Sequence, residues 1–200
     1  MGSVVFNPHF NKQSLPLSQP PPKRNDKFRR NSGSKPVARA ATAVVLRKSP
    51  DEKGWEFLHP RCALDRRDDL EEVQTMVAEG EHEIAVDELR WLLNGCPDYI
   101  DAHRQLGELA LLDQDFHLAR AHFGYAVQIG TKAWEKAGKP TPIRYALPAN
   151  QAFFESGKGL AFCLKKLEKL DLLGDVVEML VKLDPTDPLG VRRLVGEDGR

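Results

Sequence analysis

Long apolar runs are missing from this 200-residue sequence. A bilayer-spanning helix needs about 18 to 20 consecutive apolar residues, and stretches such as Ala40 to Leu46 are far shorter. The sequence therefore predicts a soluble protein with no membrane span. Cysteine is scarce as well: Cys62, Cys96 and Cys163 are odd in number and widely spaced. That pattern predicts no disulfide framework, excludes paired C-x-x-C zinc ligation and favours a reducing compartment, the cytoplasm. Net charge is absent too, with 29 Lys and Arg against 29 Asp and Glu.

Motifs that carry catalysis are equally wanting. His82-Glu83 lacks the second histidine, four residues after the first, of a zincin helix. His117 and His122 are five apart, which does not put both rings on one helix face for a metal. Gly157-Lys158-Gly159 has neither the upstream glycine nor the following Ser or Thr of a phosphate-binding loop, so small residues there are expected to permit close helix approach. With no nucleophile, metal site or phosphate cradle in view, the sequence predicts a non-enzymatic protein that carries no cofactor.

The balanced net charge conceals an asymmetry. Residues 1–50 hold ten Lys or Arg against Asp26 alone, whereas residues 51–200 hold nineteen against twenty-eight acids. Residues 1–40 also carry Pro16, Pro20, Pro21, Pro22 and Pro36 among polar residues and show no helical or strand period. Such a segment lacks the apolar surface that would offset ordering entropy and is expected to be a disordered basic tail. Its cations from Lys23 to Arg39 could contact the phosphates of a nucleic acid. Its Arg and Ser content also suits an organellar transit peptide, with Val37 to Ala41 as the processing site. Residues 41–63 are transitional. Their apolar part, Trp55, Phe57 and Leu58, could cover the open end of the following domain or serve as an exposed docking peptide.

Between Asp69 and Thr131 one pattern is written twice at an offset of 34 residues. Ala85 falls on Ala119, Leu89 on Phe123, Leu92 on Ala126 and Val73 on Gly107. A third copy appears once about twenty extra residues are allowed, with Ala161, Leu164, Leu173 and Val177 at the matching positions. A period of this size marks stacked supersecondary units, none of which buries its apolar face alone. The spacing predicts helices over about 64–78, 82–94, 98–112, 116–135, 149–166 and 169–183, each with apolar residues three and four apart. Gly80 should close the first helix and Asp98 should cap the third. Within an insertion at about 131–150, Pro140, Pro142 and Pro148 forbid regular helix over 138–148. Asp187-Pro188 should start a last short helix over 189–195.

The residues carrying the period resemble the tetratricopeptide repeat family. Leu106-Gly107, Ala110, Ala119, Phe123 and Ala126 match its helix-turn-helix unit. The first copy keeps Gly80, Ala85, Leu89 and Pro97 but has Val73 and Leu92 where the family usually has Gly and Ala. The resemblance implies an all-α, right-handed superhelical stack of about three helix pairs over 64–200 with a C-terminal capping helix. It also implies a partner-binding groove on the first helix of each pair. Carried over position by position, the groove is formed by Arg67, Leu70, Gln74 and Val77, then Asp101, Arg104, Glu108 and Leu111, then Glu155, Lys158, Phe162 and Lys165. The carboxylate clamp by which some members hold a chaperone tail needs Lys and Asn where this chain has Leu70 and Gln74. The mixture of Arg104, Lys158 and Lys165 with Leu70, Leu111 and Phe162 suits an extended or helical peptide with apolar anchors and some acid. The expected function is thus a protein-interaction module or scaffold. The alternative is a nucleic-acid- or ribosome-associated accessory protein acting through the tail.

Overall fold

A computed structural model describes residues 43–196. The expected basic tail over 1–40 and its candidate processing site lie outside the described residues, as do the last four positions. Two strands come first, β1 (Val45–Lys48) and β2 (Trp55–Leu58). Seven α-helices follow: α1 (Arg61–Asp65), α2 (Arg67–Ala78), α3 (His82–Gly95), α4 (Ile100–Leu112), α5 (Phe116–Lys136), α6 (Pro148–Lys166) and α7 (Leu170–Leu183). A 3₁₀ helix, Val191–Val195, closes the described chain. No helix here is long and apolar enough to cross a membrane.

Apolar side chains at helical spacing dictate which faces turn inward. Leu70 and Val73 of α2 and Ala85, Leu89 and Leu92 of α3 are buried, and α2 packs on α3, α4 on α5 and α6 on α7. Contacts of α3 with α4, of α5 with α6 and of α4 with α6 join these pairs into a row. The three turns inside the pairs are built alike. At each a left-handed residue follows the first helix: Gly80 (φ 83°), Gln114 (φ 58°) and Glu168 (φ 57°). The next residue then donates back five positions, Glu81 to Met76, Asp115 to Ala110 and Lys169 to Leu164, each at 2.9 Å. Only the first turn uses glycine, which meets that conformation without a Cβ penalty.

Close approach in the middle of the row depends on Phe123 of α5, which is 1% exposed. Its ring lies against Gly107 of α4 and Gly159 of α6, where an added Cβ would stand 2.7 Å and 2.6 Å from it. Gly157 makes the same kind of room for Leu180 of α7. The buried apolar residues form two clusters. The larger spans α5, α6 and α7 with parts of β2 and α4, and the smaller holds Ala63, Leu70, Val73, Leu89 and Leu92 together with the facing side of α4.

Three expectations for the N-terminal side need correction. Residues 45–58 form an antiparallel hairpin, with Leu46 opposite Phe57, so the fold is not purely helical. The hairpin packs on α5 and α6 rather than over the open end beside α2. Phe57 is 4.9 Å from Phe153 between ring centroids, and the fully buried Asn150 fixes the strand's position. Its side chain accepts from Phe57 N and donates to the Trp55 and Arg144 carbonyls. Second, the helix expected over 64–78 is broken at Arg66 (φ −110°, ψ 20°) into α1 and α2. Third, Cys62 and Cys96 form a disulfide, against the expectation of free cysteines in a reducing compartment. Cysteine counting is blind to α1, which brings Cys62 back beside the end of α3.

Smaller differences follow from local chemistry. Tyr99, not Asp98, occupies the cap position of α4, without a side-chain cap bond. Helix α5 runs to Lys136, one residue past its expected end, so the insertion narrows to a loop over 137–147 that contains the cis Thr141–Pro142 bond. This loop is a strap: Trp55 N donates to Pro142 O, Ile143 N to Leu183 O, and Tyr145 N to the buried Asp184 carboxylate. Hydrogen bonds from Ser49 and Arg144 hold the Asp51 carboxyl well below its usual range at the outer side of the same seam. Asp187 is itself left-handed (φ 47°) and accepts from Val191 N and Arg192 N. The expected final α-helix is therefore a 3₁₀ turn that begins at Val191.

Two stability predictions follow from this packing. Gly159→Ala should destabilise by about 1–3 kcal/mol, since Phe123 has no room to retreat; an unchanged denaturation midpoint would mean that the ring moves freely. Reduction of the Cys62–Cys96 bridge, which closes a 34-residue span, should cost about 3–4 kcal/mol by the chain-entropy account. Superimposable denaturation curves with and without reductant would contradict it.

Candidate functional site

Helices α2 and α4 present a cleft of about 510 Å³. Five residues expected at a groove line it: Gln74 and Val77 from α2, and Arg104, Glu108 and Leu111 from α4. Gln105, Leu109 and Leu112 complete the lining and were not anticipated. The floor is apolar and the polar groups collect along α4. A concave, mainly apolar site with a few placed polar groups is the usual form of a ligand pocket.

Asp101 and Glu155 do not line the cleft but flank its Arg104, and the remaining expected groove residues are placed elsewhere. Leu70 is 5% exposed and belongs to the smaller apolar cluster, because its position on α2 faces α3 and not the cleft. Arg67, Lys158, Phe162 and Lys165 are exposed and do not line it. Phe162 on α6 instead meets Phe116 edge-on at 6.3 Å and lies under Lys166.

Arg104 decides the electrostatics. It bonds Asp101 at 2.7 Å and Glu108 at 2.5 Å, and approaches Glu155 of α6 at 3.4 Å. Glu155 also accepts from the Tyr145 hydroxyl of the strap at 3.0 Å. Burial works against the Arg104 charge, but the three carboxylates outweigh it and hold its pKa above the ordinary value. Glu108 is less well compensated, since it shares one guanidinium with two other acids. Burial raises its pKa, and Arg104 opposes that only in part. The Arg104 side chain is 15% exposed while those of Glu108, Glu155 and Asp101 are 50%, 35% and 30% exposed. Three carboxylates thus meet one guanidinium, and of the four residues Arg104 and Glu108 line the cleft. Arg104, expected as a cation of the groove, is already paired with three carboxylates.

Gln105 stands out among the lining residues. It is 5% exposed, sits on the stripe of Ala102, Leu106 and Leu109 that α4 turns inward, and its amide Nε2 has no hydrogen-bond partner. A polar side chain on an apolar stripe was the legible signal, since such positions are errors unless functional.

Other titratable clusters look structural. Among the described residues no group of His, Cys, Asp or Glu could hold a metal ion. Burial pushes the Cys163 thiol up to about 11, which leaves it unreactive. A second cleft of about 580 Å³ beside α3 is lined by His82, Glu83, Asp87, Arg90 and Asp113 among others. Its Arg90 is paired with Asp87. On the α4–α5 seam, His103 packs on Tyr125 at 4.6 Å and on His122 at 6.0 Å. Comparison of the chain with protein-family models, curated proteins and solved structures finds no match in any of the three.

The histidines generate a pH prediction. Burial lowers both pKa values below the ordinary 6.5. In the tautomer that donates from His103 Nε2 to Pro97 O, the buried Nδ1 has no partner, so a second proton there would be stranded. The unfolded chain thus binds protons more readily, and stability is full above about pH 6.5 and lost as pH falls below it. A His103→Gln, His122→Gln variant should show a shallower decline in Tm between about pH 7 and 5. An identical decline in both proteins would sink this assignment.

Proposed function

We propose that this chain is a non-enzymatic protein-interaction module, a tetratricopeptide-like right-handed stack of three helix pairs that holds a partner peptide in the cleft between α2 and α4. The observation that carries the proposal is the apolar lining of Val77, Leu109, Leu111 and Leu112 in a cleft of about 510 Å³, on the first helices of two successive pairs. The three like-built turns at Gly80, Gln114 and Glu168 support the repeat architecture. Strand, strap and disulfide are then devices that hold the helices, while the cleft stays open. Leu112, at the mouth, is 60% exposed, which is unfavourable for a leucine with nothing against it.

Panning a random peptide display library against the full-length protein tests this. Selected peptides should lose at least tenfold in affinity to a Leu112→Asp variant, given about 1.5–3 kcal/mol for a buried leucine. They should keep it for Leu118→Asp, which alters an exposed leucine of α5 outside the cleft. Equal affinity for both variants would move the binding surface off the cleft. Binding that vanishes on deletion of residues 1–40 and falls steeply with salt would favour the tail instead.

A further inference from the structure

Resting on the reading of the cleft as a peptide site, we propose the chemistry of its occupant. It is a cationic amphipathic segment whose apolar side chains enter between α2 and α4, whose Lys or Arg meets Glu108, Glu155 and Asp101, and whose main-chain carbonyl accepts from Gln105.

The uncompensated charge comes first. Three carboxylates surround one guanidinium, which is already engaged by all of them. Every acid of the group is more exposed than the arginine, so an arriving cation finds acceptors with remaining lone pairs, whereas an arriving anion meets a group in which carboxylates outnumber the cation three to one. Glu108 is the clearest case: it lines the cleft and its side chain is half exposed beside Arg104, so a second cation can reach it. A phosphate backbone is repelled by the same rim, which argues against nucleic acid at this surface.

The amide of Gln105 points independently to a ligand. A buried donor without an acceptor is costly, and apolar residues fill the same stripe on either side, so the fold itself gives no reason for an amide. The cleft is where an acceptor can arrive. A peptide carbonyl suits it, because an amide is neutral and donates without needing a charged partner. The apolar floor then requires that the segment carrying the cation also present apolar side chains on its other side.

Two labelled synthetic peptides of equal length test the proposal, one with Leu and Lys at helical spacing and one with Glu replacing every Lys. Full-length protein should bind the Lys peptide and not the Glu peptide, and Leu112→Asp should abolish the binding. A Glu108→Gln, Glu155→Gln variant should bind about fivefold more weakly, as expected for two partly exposed charges. Removing two exposed α7 acids, Asp175→Gln and Glu178→Gln, should leave affinity unchanged and exclude general attraction to an acidic surface. Gln105→Met should weaken binding about fivefold while Tm stays level or rises, because an unpaired amide is replaced by an apolar chain. A structural role for Gln105 would instead lower Tm. If the Glu peptide binds in a Leu112-sensitive manner, the cleft remains the site and the cationic partner is wrong. If the Lys peptide binds regardless of Leu112→Asp, the cleft itself is wrong. Absence of binding by the Lys peptide, or full affinity in the Gln105→Met variant, also overturns the proposal.

Discussion

The ring of Phe123 between Gly107 and Gly159 is the contact on which the rest depends. One aromatic side chain reaches both neighbouring first helices, α4 and α6, and each answers with a missing side chain. Interiors are packed at crystal-like density, so the spacing of three helices is set where the ring has no slack. The direct contact of α4 with α6 follows, because their glycine faces are drawn to the same ring. The position of α4 also fixes one wall of the cleft. Arg104 lies about one turn before Gly107 and Glu108 directly follows it, and Arg104 reaches Glu155, itself one turn before Gly159.

The two ends of the row are held by different means. On the C-terminal side, the hairpin, the strap and the end of α7 share one polar seam: Asn150 under β2, Pro142 and Ile143 between strand and helix, Asp184 under Tyr145. These buried polar groups are all satisfied, which makes them a lock rather than a liability. On the N-terminal side, α2 and α3 share a smaller apolar cluster, and a covalent bridge stands in for the seam. The wall of the cleft formed by α2 thus lies within the span that the bridge closes.

How much of this was legible in the sequence depended on period. Ala85 and Ala119, Leu89 and Phe123, and Leu92 and Ala126, paired by the 34-residue offset, are all buried, because helix spacing and packing face are written in the same positions. The insertion was legible from its prolines, and the small residues around Lys158 from their size. What the sequence hid were partners distant along the chain. Nothing near Cys62 names Cys96, and nothing near Phe57 names Asn150, 93 residues away. Of the residues expected at a groove, Gln74, Val77, Arg104, Glu108 and Leu111 line one cleft, but Leu70 turned inward and the α6 residues do not line it. The pairing of Arg104 was not legible, because a formal charge read from a sequence says nothing about which neighbours already neutralise it.

The bridge between Cys62 and Cys96 encloses α2, the left-handed turn at Gly80 and α3, so this part of the backbone is a ring with two exits. One exit leads back to the hairpin and the other forward to α4. A single cut in the exposed Glu79–Glu81 turn would open the ring without dividing the protein. Both fragments would remain tied through sulfur, and the break would show by mass only after reduction. The pair that supplies one wall of the cleft is for that reason the one part of the described row whose backbone can be severed at its turn without coming apart.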